Sequence, residues 1–169
     1  MAEWNRDRIN PSLLDRLTDE APGAAGGRGA FSSLSELRRS VLRDLTWLFN
    51  TTQLFDDESA EAWPQVRKSV LNYGLPPLAG THASSIDFPR LERALRQAII
   101  DFEPRILPDS LRVRAVVRPS QLDHHNVIGV EIQGHLWAQP LPLDLLVRTE
   151  IDLETGRVEV SDLLQPRVS

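Results

Sequence analysis

The spacing of apolar residues divides the chain into a helical first part and a sheet-forming second part, with the change of period falling between Phe88 and Val117. From Ser33 onward, Leu34, Leu37, Val41, Leu45 and Leu48 recur at intervals of three and four, which marks one face of a helix. Glu36, Arg38, Arg39 and Arg43 lie off that face. Ser33 and Glu36 suit a capping box, and the helix should end near Asn50. Thr51 to Ala62 reads as a polar connection anchored by Leu54 and Phe55. Trp63-Pro64 can open a second helix, with Val66, Val70 and Leu71 pointing inward and Gly74 as its stop. Two prolines make Leu75 to Gly80 extended or turning, and Thr81 to Asp87 continues as loop. A third helix follows, capped by Asp87, with Phe88, Leu91, Leu95, Ala98, Ile99 and Phe102 on one stripe. Arg90, Glu92, Arg93 and Arg96 face outward, and Glu92 and Arg96 stand four apart in the favourable order for a pair. Pro104 ends this helix, because the residue before a proline is driven out of helical geometry.

Beyond Pro104 the period becomes two. Leu111 to Arg118, Ile128 to Ala138 and Leu145 to Leu153 alternate apolar with polar residues, and Arg157 to Ser161 places Val158 and Val160 on one face. Glu154-Thr155-Gly156 suits a hairpin connection, with Gly156 free to take positive φ. One apolar and one charged face is the pattern of an antiparallel sheet covered on one side. The predicted fold class is α+β, with helices packed on one face of a small, mainly antiparallel four-stranded sheet.

Ahead of these elements, Asn10 to Leu17 (NPSLLDRL) reads as a short helix with Leu13, Leu14 and Leu17 on one stripe. A helix this short persists only when docked, either on its own domain or on a partner. Residues 20–30, EAPGAAGGRGA, have the composition of a flexible linker. The expected organisation is therefore a docking segment over 1–20, a Gly/Ala linker over 21–31 and a single α+β domain over 32–169.

Composition narrows the function by exclusion. A length of 169 residues with 41% hydrophobic and 25% charged residues is ordinary for a globular domain, and the net charge of −5 argues against nucleic-acid binding. The chain has no cysteine, which removes disulfides and thiolate chemistry. With no signal-like or membrane-spanning apolar run, the sequence points to a cytoplasmic protein without membrane insertion. Asp123-His124-His125 is the one ligand-like cluster, and it suits a solvated turn better than a metal site. Asp101 and Glu103 are close in sequence but project differently from a helix end, so they make a poor glycosidase pair. Asp56-Asp57 has no special setting, and Gly26-Gly27-Arg28-Gly29 lies in the linker and follows no strand. No catalytic, cofactor-binding or metal-binding set is expected. Glu103-Pro104-Arg105 remains as either a helix stop with a local ion pair or a rigid charged knob that docks on another protein.

Four segments in order carry a resemblance: PSLLDRL (Pro11 to Leu17), SVLNYGLP (Ser69 to Pro76), FEPR (Phe102 to Arg105) and VRTEIDLETG (Val147 to Gly156). Together they resemble the TssE family of type VI secretion baseplate subunits, relatives of the small wedge protein of contractile-tail phage baseplates. The resemblance implies a structural, non-enzymatic subunit that joins TssF and TssG in a wedge. It further implies contact with TssK, and strand addition by the sheath subunits TssB and TssC. It also implies partner-binding roles for Glu103, Pro104 and Arg105, with Pro11, Leu13, Leu14 and Leu17 as a second docking segment. On that reading the charged pair acts on assembly more than on folding. The alternatives are a peptidoglycan-acting, lysozyme-like hydrolase and a regulatory binding module for another partner.

Overall fold

The computed structural model describes residues 13–17, 34–55, 62–80, 85–116, 126–138 and 141–164. Helix α1 spans Leu13–Leu17, α2 Leu34–Phe49, α3 Pro64–Arg67 and α4 Phe88–Phe102, with a 3-10 turn at Val70–Asn72. Strands β1 (Arg112–Val116), β2 (Val127–Leu136), β3 (Leu143–Asp152) and β4 (Val158–Asp162) form one antiparallel sheet in the order β1-β2-β3-β4. The fold is α+β, as the change of period predicts. The Asp123-His124-His125 turn, Asp56-Asp57, the Ser33 end of the proposed capping box and residues 20–30 lie outside the described residues.

The core forms where the apolar stripes of α2 and α4 meet one face of the sheet. Leu37, Val41, Leu45 and Leu48 of α2 are buried with Leu91, Leu95, Ala98 and Ile99 of α4. They pack with Val130, Ile132, Leu136, Val147 and Ile151 of the central strands. Two α2 expectations change. Leu34, at the first helical position, is exposed, whereas Arg38 is buried. A charge in that position needs a partner. Arg38 lies 3.3 Å from the Asp162 carboxylate and also donates to the Asp144 carbonyl, tying α2 to the adjoining ends of β3 and β4.

Helix α4 begins as predicted, with the Asp87 carboxylate accepting from the Arg90 N–H at 3.0 Å. The expected Glu92–Arg96 pair does not form. Because α4 lies beside β1, Glu92 accepts from the Ala115 N–H at 2.7 Å, and Arg96 donates to the Pro108 carbonyl at 3.1 Å. Backbone groups of a strand edge and of the turn leading into it are better partners than a solvated ion pair worth a few tenths of a kcal/mol.

The connection between α2 and α4 departs furthest from the sequence pattern. Its second helix shrinks to α3, and Ser69 then starts a separate turn by accepting from the Leu71 N–H. That restart rotates Val70 and Leu71 into solvent, at 83% and 64% exposure, and Leu54 is exposed as well. Gly74 stops no helix. Thr51 to Gln53 run against Leu75, with Leu75 N–H donating to the Thr51 carbonyl at 2.8 Å and Gln53 N–H to the Leu75 carbonyl at 2.9 Å. Gly74 has φ +127°, and a Cβ there would sit 2.3 Å from the Thr51 carbonyl oxygen.

Between β3 and β4, Gly156 takes φ +74° as expected. The Asp152 carboxylate accepts from the Thr155 hydroxyl and from the N–H groups of Glu154 and Thr155, which hold it below the usual carboxylate range. On the face away from the helices, Arg148 and Glu131 pair across strands at 2.7 Å.

Gly74→Ala is expected to lower unfolding free energy by more than about 1 kcal/mol, since the new methyl meets backbone and φ is unfavourable. Gly80→Ala is the comparison, because Gly80 also has positive φ but has nothing within 4 Å of the added Cβ. Denaturant midpoints should place the Gly74 variant well below the Gly80 variant.

Candidate assembly surface

The sequence Phe102-Glu103-Pro104-Arg105 closes α4 and turns the chain toward the sheet. Glu103 N–H still donates to the Ile99 carbonyl at 2.8 Å, which completes the last helical turn. Pro104 then forces departure, and Ile106 pairs with Leu136 as an isolated antiparallel bridge. Trp137 N–H donates to the Arg105 carbonyl at 2.7 Å, and Leu107 N–H to the His135 carbonyl at 2.9 Å. The turn is therefore fixed on both sides, by helix and by sheet.

Its two charged side chains face each other and inward. Glu103 is only 3% exposed. One of its oxygens accepts from Arg105 Nε at 2.6 Å and from the Arg105 backbone N–H at 3.2 Å, and the other accepts from Nη2 at 2.5 Å. Arg105 also donates to Ser40 Oγ at 2.9 Å and to the Asp44 carboxylate at 2.5 Å, both on α2. Burial works against the Arg105 charge. The Glu103 and Asp44 carboxylates outweigh it and hold the guanidinium above its ordinary pKa. Nearby, Tyr73 packs edge-on to Phe102 with ring centroids 5.1 Å apart. Burial, together with the negative charges of Asp44 and Glu103, pushes its phenol up.

Helix α1 reaches the same cluster. The Asp15 carboxylate accepts from Ser40 Oγ at 2.8 Å and from Arg43 Nη1 at 2.7 Å. Arg43 in turn pairs with Asp44 at 2.7 Å and stacks 5.0 Å from the Trp47 ring. Ser40 thus stands between Asp15 and Arg105, and five ionised residues from α1, α2 and the turn form one network. Leu17 is 73% exposed on the far side of α1.

The two edges of the sheet are unequal. On β1 the outward backbone groups fall at Leu111, Val113 and Ala115. Ala115 N–H is taken by Glu92, Leu111 N–H bonds to the Pro108 carbonyl, and the Leu111 carbonyl accepts from Arg112 Nη1 at 3.1 Å, so that only Val113 between them has neither outward group bonded among the described residues. On β4, the bonds from Asp152 N–H to the Arg157 carbonyl and from Leu163 N–H to the Leu146 carbonyl fix the alternation. Val158, Val160 and Asp162 therefore turn their N–H and C=O groups away from β3. Val158 is engaged by the Asn50 side chain, which donates to its carbonyl at 2.8 Å and accepts from its N–H at 3.0 Å. The outward groups of Val160 and Asp162 make no hydrogen bond among the described residues.

An inward charged clamp, an exposed turn tip and unbonded strand-edge groups on β4 suit attachment to other chains. A family-model comparison decides which kind. Residues 35–141 match the family described as baseplate wedge protein gp25. The chain belongs to that family. Gp25-like proteins are structural baseplate wedge components of contractile tails and injection machines, not enzymes. The match takes in α2, the Glu103-Pro104-Arg105 turn, β1 and β2, and ends just before β3. No curated protein and no solved structure matches the chain.

Within this gp25-like frame the residues singled out from sequence separate by setting. Glu103 meets Arg105, Arg105 also reaches α2, and Pro104 stands exposed between them. Leu14 and Leu17 lie on α1 with exposed side chains, and Pro11 and the Leu13 side chain fall outside the described part. Asp15, Ser40, Arg43 and Asp44 were missed, because their role depends on α1, α2 and the turn meeting in space. Glu103 is no candidate proton donor for a hydrolase, since both its oxygens are held by Arg105. Asp101 is bonded to Gln97 at 2.9 Å. Among the described residues no helix is long and apolar enough to cross a membrane, and no group of acidic and histidine residues could hold a metal ion.

Glu103→Ala should cost about 3 kcal/mol, the low end for a broken buried pair, because Arg105 keeps Asp44 and Ser40. Asp15→Ala removes a more exposed contact and should cost under about 1 kcal/mol. Chemical denaturation of both variants checks the order; equal losses would show that Glu103 is not the anchor of the network.

Proposed function

We propose that the chain is the gp25-like subunit of a type VI secretion baseplate, assembling with TssF and TssG in a wedge, next to TssK, and receiving strands from the sheath subunits TssB and TssC. The observation that carries the sheath part of this reading is the open β4 edge at Val160 and Asp162. Unpaired strand groups beside a rigid sheet accept an extended segment at little cost in order, and main-chain hydrogen bonds supply the affinity. The β1 edge is a poor alternative, because Glu92 and Arg112 already occupy its flanking groups.

The wedge contact is assigned to the other end of the cluster. Glu103 and Arg105 act as the clamp that shapes the turn, and exposed Pro104 with half-exposed Trp137 presents the surface. Trp137 is bonded through its backbone to Arg105, so turn and indole are positioned together. The exposed leucines of α1, Leu14 and Leu17, extend the same contact, with Pro11 and Leu13 preceding and beginning that helix. The charged pair then serves folding and assembly at once, and loss of assembly in its variants follows partly from a loosened turn.

Val160→Pro separates the two contacts. Proline is tolerated on an edge strand where its missing N–H faced solvent, so the domain should fold. Copurification with TssF and TssG should persist while TssB/TssC binding falls at least about tenfold, as the loss of a main-chain hydrogen bond and a clash at the edge require. Unchanged sheath binding would remove β4 as the receiving edge, and failure of wild-type protein to copurify with TssF and TssG would remove the wedge assignment.

A further inference from the structure

Asn50 ends the hydrophobic face of α2 and lies at the start of the connection to α3. Its carboxamide does something no other described side chain does. It bonds both outward backbone groups of a single strand residue, donating to the Val158 carbonyl and accepting from the Val158 N–H. A carboxamide has the same donor and acceptor as a peptide group. The Asn50 side chain therefore occupies the place that a peptide group of an added strand would take beside Val158. It is held there by a further bond from Nδ2 to the Thr46 carbonyl, one turn back on α2, at 2.8 Å.

We infer that Asn50 is a register stop: it closes the β4 edge at Val158, so that an extended segment from another chain pairs only with Val160 and Asp162. This inference rests on strand addition at β4, the reading proposed above, and adds the residue that sets its register. The reasons are geometric. Replacing Asn50 by an incoming peptide group would break two hydrogen bonds at Val158 and form two of the same kind, leaving no gain to drive displacement. Past Asp162 the chain offers Leu163 and Leu164, both partly exposed, and Leu163 N–H is already bonded to β3. At the opposite end of the open stretch, Arg38 of α2 holds the Asp162 side chain. Helix α2 thus touches β4 at Val158 through Asn50 and at Asp162 through Arg38, and the unpaired groups lie between and beside those two anchors. A strand that slipped by two residues toward Val158 would meet the carboxamide; side chains keep their face under a two-residue slip, so alternation alone cannot exclude it. The stop supplies the discrimination that the pleat does not.

Amide hydrogen exchange of the full-length chain, alone and with the purified TssB/TssC sheath complex as probe, tests this. Alone, Val158 should exchange about fivefold more slowly than Val160 and Asp162, the effect of one hydrogen bond. Adding sheath should slow Val160 and Asp162 and leave Val158 unchanged. In Asn50→Ala, Val158 should exchange as fast as Val160 when free, and become protected when sheath is added. Asn50→Asp, which keeps the acceptor for Val158 N–H but loses the donor, covers the case in which the alanine variant does not fold; it should keep part of the Val158 protection in the free chain. Equal exchange at Val158 and Val160 in the free wild-type chain would overturn the clasp. Asn50 side-chain amide protons that lose protection when sheath is added, with all three backbone amides protected, would show the clasp displaced and overturn the stop while leaving strand addition intact. Sheath binding that protects none of the three would instead overturn strand addition at β4 itself.

Discussion

The guanidinium of Arg105 is the interaction on which the arrangement of helices and sheet depends. Its Nε and Nη2 bind Glu103 in a fork, while Nη1 and Nη2 reach Ser40 and Asp44 on α2. Its backbone carbonyl accepts from Trp137 at the end of β2. One residue thus joins the end of α4, the middle of α2 and the sheet. Lysine could not substitute, because a single ammonium lacks the planar fork that serves two carboxylates and a hydroxyl together. The cluster is stable as a charged group because each buried oxygen has a donor, and no buried side-chain polar atom is left without a partner among the described residues.

This clamp gives the molecule a division of labour. The side chains that fix the turn are turned inward, and what a partner meets is the exposed proline and the indole beside it. At the sheet, the same α2 that receives Arg105 also decides which strand groups stay available, through Arg38 near one anchor and Asn50 at the other. Helix α4 performs the complementary task at β1 with Glu92. The helices are thus more than a cover for the apolar face, since their polar residues close part of each edge and leave, among the described residues, unbonded groups at Val113 on β1 and at Val160 and Asp162 on β4.

The fold class and, Leu34 excepted, the residues of both long helical stripes were legible in the sequence, because a buried face imposes its period on the chain. Asp87 and Gly156 were legible too, each filling a local role that few residues can fill. The connection between α2 and α4 was not. Val70 and Leu71 follow the helical period but face solvent, because the Ser69 hydroxyl starts a new turn, a local hydrogen bond that overrides a short apolar pattern. Arg38 and Glu92 misled for another reason: both are charged residues on a helix flank, and only the tertiary position of a strand end or edge turns them from solvent to structure. The Glu103-Pro104-Arg105 turn stood out as a motif, yet its partners Ser40 and Asp44 lie some sixty residues earlier and carry no signal of their own.

The contact between Thr51–Gln53 and Leu75 pinches the base of the connection that runs from α2 toward α4. Everything between those two points leaves and rejoins the domain at nearly the same place. Such a closed excursion can grow or shrink with small thermodynamic effect, since doubling a loop's length costs only about 0.6 kcal/mol. The glycine that permits the pinch therefore makes the outer part, Trp63 to Leu71, an appendage whose length and sequence can diverge between machines without disturbing the clamp or the sheet. Buried Asn72, and Tyr73, which packs on Phe102, stay tied to the domain.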